Sequence, residues 1–293
     1  MHIAVLSHIG PRPDNQDSAA GFELAVQRAN DGGGQPVVDS AAILTVHDGV
    51  GSAPCGREAA HYGSALLLER LAAGLCREAS QPRGWRPERL EALCKEAVAS
   101  ENQWLCAQRE ESGAQEPTHV TTLALVVHAG DAAVVAHCGD SPVFLWRGGA
   151  LQKLTEEHSH VARLLKAGKI GPRTASVHPD RNVITKALGI RPDVGADFKV
   201  VRTEPGDLFL LATDGITGVL DENQIAGIIE ASAGLSRKQP ELTTCAQSLV
   251  EAALQAGTGD NASIALGYVV PSVTRVTEVL YLSPPLLVQR AAA

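Results

Sequence analysis

The chain has 293 residues, 44% hydrophobic and 20% charged, an ordinary balance for a folded protein with ample core. Its formal charge of -8 argues against a nucleic-acid partner or an anionic membrane surface, since both need clustered cations. No apolar run approaches the length of a membrane helix, and the opening MHIAVLSHIGPR lacks the basic start and apolar length of a signal peptide.

In chain order, MHIAVLS alternates like a strand and AAILTVHD reads as a second, with NDGGGQP between them as a loop or hairpin tip. Residues 56 to 79 predict a long helix whose small residues Ala59, Ala60 and Gly63 permit close packing on a sheet. SQPRGWRP breaks it, and residues 87 to 110 predict a second helix. From residue 120 the period changes. TTLALVVH, AAVVAHCG, PVFLWR and ALQKLT read as strands joined by HAGD, CGDS and RGG, loops too short for crossover helices, so an antiparallel meander is expected. HVARLLKAGK predicts a short helix, ADFKVVRT and DLFLLATD strands, residues 222 to 230 and 241 to 256 helices, and ASIALGYVV a last strand.

Strand clusters followed by helix pairs imply an α+β design with antiparallel sheets and helices outside. Residues 1 to 270 read as one domain and residues 271 to 293 as a tail or linker. With 3% aromatics, the core must be built from Ala, Val, Leu and Ile. The cysteines at 55, 76, 94, 106, 138 and 245 form no CxxC pair. That irregular spacing predicts reduced, mostly buried thiols and a cytoplasmic location, not a zinc site.

The acidic turns carry the chemistry. Asp17 lies in PDNQDS, Asp48 in VHDGVG, Asp140 in HCGDSP, Asp214 in LATDGI and Asp260 in GTGDNAS. Each alone fits an ordinary Asp turn, because Asp bonds its own backbone and a neighbouring Gly takes positive φ. Together they stand at the ends of apolar strands, where an edge of a sheet sandwich brings distant residues together. Gathered aspartates repel one another unless cations neutralise them. Carboxylates and glycine carbonyls are the hard oxygen ligands that magnesium and manganese prefer, and two such ions ~4 Å apart activate a water between them.

In this order the motifs resemble the metal-dependent serine/threonine protein phosphatases of the 2C type (PPM). RPDNQDS, VHDGVG, TTLALVV, HCGDSPVFLWRGGALQKLTEEHS, NVITKALG, GDLFLLATDGI and GDNASIAL match the family's blocks over roughly residues 1 to 270. The resemblance implies two antiparallel sheets in a central sandwich flanked by helices on both sides, with a flap. It implies hydrolysis of phosphoserine and phosphothreonine by water activated between two Mn2+ or Mg2+ ions. Asp48, the Gly49 carbonyl, Asp214 and Asp260 would hold those ions, Asp17 would act through metal-bound water, and Asp140 would serve a third, weaker ion. Arg12 would hold the phosphate, as a guanidinium fork suits a phosphoryl group. Partners would be phosphoserine and phosphothreonine proteins, among them a Ser/Thr kinase or its substrates, met by a monomer.

The flap would occupy residues 156 to 186, where Lys166, Lys169 and Arg173 stand out as cations in an acidic chain, suited to recruiting anionic substrates. Three positions depart from the family pattern. Ser52 stands where Gly is usual, Pro142 where Arg is usual, and Val50 where His or Met is frequent, so the general acid of relatives with His there is missing. Those departures raise the alternative of a pseudophosphatase that binds a phosphoprotein or kinase without turnover. Intact Asp48, Asp214 and Asp260 argue against it. Cys138 in HCGDSPVFLWR begins like a cysteine-phosphatase signature, but Phe144 occupies the place of the required Arg, which leaves a core thiol. His158 in EEHSH reads as a polar loop histidine near the flap.

Overall fold

The computed structural model describes residues 1–28, 37–79, 85–171, 174–175, 178–235 and 240–270. Among these, ten strands form two antiparallel five-stranded sheets, with no parallel pair. One sheet contains β2 (Asp17–Arg28), β3 (Val37–Asp48), β4 (Leu123–Ala129), β5 (Ala132–Cys138) and β8 (Asp197–Arg202), in that spatial order. The other runs β1 (His2–His8), β10 (Ala262–Tyr268), β9 (Leu208–Ala212), β6 (Val143–Arg147) and β7 (Ala150–Lys153).

Helices cover both outer faces. α1 (Gly56–Ala79) buries Ala59, Ala60, Gly63, Leu67 and Leu71, the small and apolar positions recurring every three or four residues. With α2 (Pro87–Ser112) it closes a core over β3, β4 and β5. α5 (Glu222–Ser232) and α6 (Leu242–Gln255) close a second core over β9 and β10. A third core lies between the sheets, where Leu44, Val46, Val126 and Val135 meet Val143, Leu145, Phe209 and Leu211. The expected α-β-β-α sandwich is therefore present, built from aliphatic side chains. Two short helices, α3 (His160–Lys166) and α4 (Asp214–Thr217), lie beside the strand ends.

Two expectations fail. Residues 17–28 form a twelve-residue strand, β2, that the pattern does not announce. Residues 18–25 of it are all at least partly exposed, and its order comes from pairing with β3, Asp17 opposite Asp48 through Arg28 opposite Val37. The meander also breaks. β4 pairs with β5 and β6 with β7, but β5 and β6 belong to different sheets. The CGDS turn carries the chain across the sandwich, with Gly139 at φ +115, a conformation that L side chains rarely adopt. Its Cβ would also stand 2.7 Å from Thr122. Pro142 follows, buried, with no N–H to join a ladder.

Cys94, Cys106, Cys138 and Cys245 are buried as expected. Among the described residues no helix is long and apolar enough to cross a membrane. The expected loop or hairpin tip, residues 30–36, lies outside the described residues, as do Arg173 and the expected tail or linker, residues 271–293.

Candidate metal and phosphate site

Each acidic residue reaches the same end of the sandwich from a different element. Asp17 opens β2 and Asp48 ends β3, opposite each other in register. Asp214 opens α4 just after β9, and Asp260 precedes β10 in the other sheet. Asp140 stands on the crossover between them. Asp48 is the hub, because the charges of Asp214, Asp17, Asp140 and Asp260 all act on it.

Burial first, then these neighbours, raises the Asp48 pKa well above the ordinary carboxylate value. Burial and the nearby acids raise Asp17 and Asp140 to about 7 each. Asp214 is raised by burial and by Asp260. The Asp48 and Asp214 carboxyls lie within hydrogen-bonding reach of each other. Asp214 Oδ1 is buried with no donor facing it. Two acceptors facing each other need a proton or a cation between them. Among the described residues no three side chains stand in ready-made ligand geometry.

The backbone around Asp48 is fixed from several sides. Its N–H donates to Thr122 Oγ1 at 3.1 Å, and its carbonyl accepts from Thr121 Oγ1 at 2.9 Å and Thr122 N at 2.8 Å. Thr122 Oγ1 also meets Ser141 Oγ at 2.8 Å, next to Asp140. Gly49 is wedged so tightly that a Cβ would lie 2.3 Å from the Gly56 carbonyl oxygen and 2.9 Å from that of Gln16. Only glycine fits there. On the opposite sheet, Thr213 Oγ1 donates to Asp17 Oδ2 at 2.9 Å and accepts from Ser263 N at 3.0 Å. A single hydroxyl thus ties the two sheets together behind the acids.

Arg12 donates from Nη2 to Asp260 Oδ2 at 2.7 Å and from Nε to Gly259 O at 2.8 Å. The guanidinium expected at the phosphate is therefore beside the acids, although this pair engages two of its nitrogens. Its loop is held by buried Asn261. The Asn261 Nδ2 group donates to Ile9 O at 2.7 Å and Asp14 O at 2.9 Å, while Oδ1 accepts from Gln16 N at 2.8 Å.

Two of the expected flap cations, Lys166 and Lys169, lie within the described residues. Lys166 pairs with Glu156, and Lys169 makes no ion pair among the described residues. His158 is more than a loop histidine, since its backbone and ring both hold Gly139, next to Asp140. Thr121, Thr122, Thr213 and Asn261 were missed as site residues. For Thr213 and Asn261 the signal was adjacency to Asp214 and Asp260, whereas Thr121 and Thr122 open a quoted block, TTLALVV, that carries no ligand candidate. Cys138 is buried, and burial pushes its thiol up to about 12, so it is no nucleophile.

Residues 27–254 match the family model described as protein phosphatase 2C. The chain belongs to the protein phosphatase 2C family. Protein phosphatase PhpP of Streptococcus pneumoniae is 37% identical over 143 residues, 49% of this chain and 52% of that relative. The chain thus spans about half the length of the relative it matches there. The serine/threonine phosphatase stp of Listeria monocytogenes is 29% identical over 213 residues, 72% of this chain and 80% of that protein. Among solved structures, the catalytic domain of the serine/threonine phosphatase PstP in complex with two manganese ions superposes with a TM-score of 0.68 at 26% identity. That match covers 92% of this chain and 98% of the other. Membership agrees with the sandwich and with the order of the acidic turns.

Two expected outcomes follow from this phosphatase-family site. Between about pH 4 and 7 the fold retains protons on Asp17 and Asp140 that the unfolded chain has released, so stability falls as pH rises through that window and levels off above it. Without divalent cations, Tm should drop by at least about 5 °C from pH 5 to pH 8, and manganese should restore it. A flat or rising metal-free profile would contradict the crowding of these acids. Asn261→Ala removes a buried side chain that satisfies three backbone groups and should cost roughly 1–3 kcal/mol in urea unfolding, with KM for phosphate substrates rising as the Arg12 loop loosens. Stability equal to the parent would remove Asn261 from that role.

Proposed function

We propose that the chain is a metal-dependent protein serine/threonine phosphatase, hydrolysing phosphoserine and phosphothreonine. The observation that carries this reading is the meeting of Asp48 and Asp214, from opposite sheets, with a buried Asp214 oxygen that no donor faces. The donor set is all oxygen, which suits Mn2+ or Mg2+. The manganese complex of the PstP catalytic domain supports the same assignment.

Asp48, the Gly49 carbonyl, Asp214 and Asp260 would hold two ions, Asp17 would act through water, and Asp140 would hold a third, weaker one. When bound, the ions polarise the phosphoryl oxygens and make water nucleophilic at neutral pH. The chain's own residues position the reaction. Thr121 and Thr122 keep Asp48 at the strand end, Thr213 aligns Asp17, and Arg12 turns its fork to the phosphate, exchanging a half-exposed pair with Asp260 for a charge-assisted contact. Val50 offers no proton, so the departing alkoxide would take its proton from a water or from another side chain. The substrate is a phosphoprotein of the kind a Ser/Thr kinase produces, with Lys169 and Arg173 aiding its recruitment from the flap. Lys166 contributes less, being neutralised by Glu156. A binder without turnover has little in its favour, because the acids remain and remain gathered.

Hydrolysis of p-nitrophenyl phosphate should require manganese or magnesium, stop with chelator, and survive iodoacetamide. Asp214→Asn should abolish turnover and weaken manganese binding by calorimetry at least tenfold. Equal affinity in variant and parent would overturn the ligand set. Arg12→Ala should raise KM more than it lowers kcat, since the clamp binds the phosphate in the ground state and the transition state alike. An unchanged KM would return Arg12 to a surface role.

A further inference from the structure

His137 points from β5 into the space between the sheets, beside the root of the flap. It is 2% exposed, and neither ring nitrogen has a hydrogen-bond partner among the described residues. A neutral imidazole carries one donor and one acceptor, and leaving them unmade in the interior is costly. Burial keeps the ring neutral, its pKa pushed down to about 3. The ring of His158 lies 5.0 Å away, centroid to centroid, but is already engaged. Its Nδ1 accepts from Gly139 N, and its Nε2 meets Asp197 Oδ2, both at 3.1 Å.

Beside His137 the sandwich gapes into a cleft of about 310 Å3 between β8 and the segment after β7. Val135 and Leu154 form apolar walls, with Glu156, Asp197 and Lys199 at the rim. The two rim acids are neutralised, Glu156 by Lys166 and Asp197 by Lys186 at 2.6 Å. Lys153, whose charge also acts on His137, pairs with Glu157. Lys199 has no such partner among the described residues. Four lysines therefore face three carboxylates and leave one positive charge, in a chain of net charge -8. The cleft offers an apolar wall, a buried donor and an uncompensated cation.

We propose that this cleft is a specificity subsite for a carboxylate side chain of the phosphoprotein, three or four residues from the phosphorylated one. The inference rests on the phosphatase reading above. His137 stands three residues before Asp140, roughly 10 Å along the chain, and the row Val46–Ala124–His137 places it two strand spacings, about 10 Å, from the strand ending in Asp48. An extended substrate advances about 3.3 Å per residue, which sets the offset. A glutamate stem packs on Val135 and Leu154 while its carboxylate accepts from the His137 ring and faces Lys199. The ion pairs of Glu156 and Asp197 keep the rim from repelling it.

The test uses the manganese-loaded full chain and phosphoserine peptides alike except for Glu, Gln or Lys placed three or four residues to either side. Gln matches Glu in size, so the Glu-to-Gln ratio of kcat/KM reads charge alone. The parent should favour Glu over Gln roughly tenfold at one of these positions, as a charge-assisted bond implies. Lys199→Glu should turn the preference toward Lys, and His137→Leu, which fills the space without a polar atom, should bring the Glu-to-Gln ratio near one. Equal handling of Glu and Gln by the parent at every position, or an unaltered ratio in both variants, overturns the subsite. Absence of any manganese-dependent turnover by the parent would count against the phosphatase reading alone. Anisotropy of the same peptides, fluorescently labelled, then carries the Glu-to-Gln comparison as a ratio of dissociation constants.

Discussion

Carboxylates cannot be crowded in a partly buried space and all remain charged without a counter-charge. That constraint governs the end of the sandwich where Asp17, Asp48, Asp140, Asp214 and Asp260 meet. Burial and mutual repulsion raise the affinity of Asp17, Asp48, Asp140 and Asp214 for protons, and the same field favours cations. The surrounding structure answers the constraint with rigidity. Hydroxyls and amides hold Asp48, Asp17 and the loop of Asp260, with Arg12 bonded to Asp260 besides, so crowding is maintained where a looser frame would let the acids separate.

The acids are also divided between the sheets. Asp17 and Asp48 belong to one, Asp214 and Asp260 to the other, and Asp140 rides on the chain as it crosses. Thr213, bonded both to Asp17 and to the backbone of Ser263, and Asn261, bonded to the loop after β1, are the ties that register these halves. Arg12 completes the arrangement by lying against Asp260, so the residue proposed to grip phosphate and a residue proposed to hold a cation already share a side-chain contact.

Much of this was legible in the sequence because it is local. An aspartate beside a glycine at the end of an apolar run states where a strand stops and what it presents. α1 was legible to its ends for the same reason, since Ala59, Gly63 and Leu67 repeat on one face. What was not legible depends on partners far along the chain. β2 is a strand only because β3 pairs with it. The crossing at Gly139 to Pro142 looks like any tight turn until the sheets are known, so a meander was the economical reading. His137 gave no signal at all, for a histidine in AAVVAHC reads as an ordinary strand residue, and its unpartnered nitrogens emerge only when both sheets and the flap root are in place.

The layer between the sheets has a consequence for the ions' chemistry. Leu44, Val46, Val126, Val135, Leu145 and Phe209 interleave there at the density of a solid, and such a layer resists compression. Its thickness bears on how far the β3 end carrying Asp48 stands from the β9 end leading to Asp214. On the reading proposed above, a preference between magnesium and the larger manganese would thus depend partly on aliphatic side chains that never touch a cation. Adding or removing one methylene in that layer retunes the gauge while every aspartate stays in place.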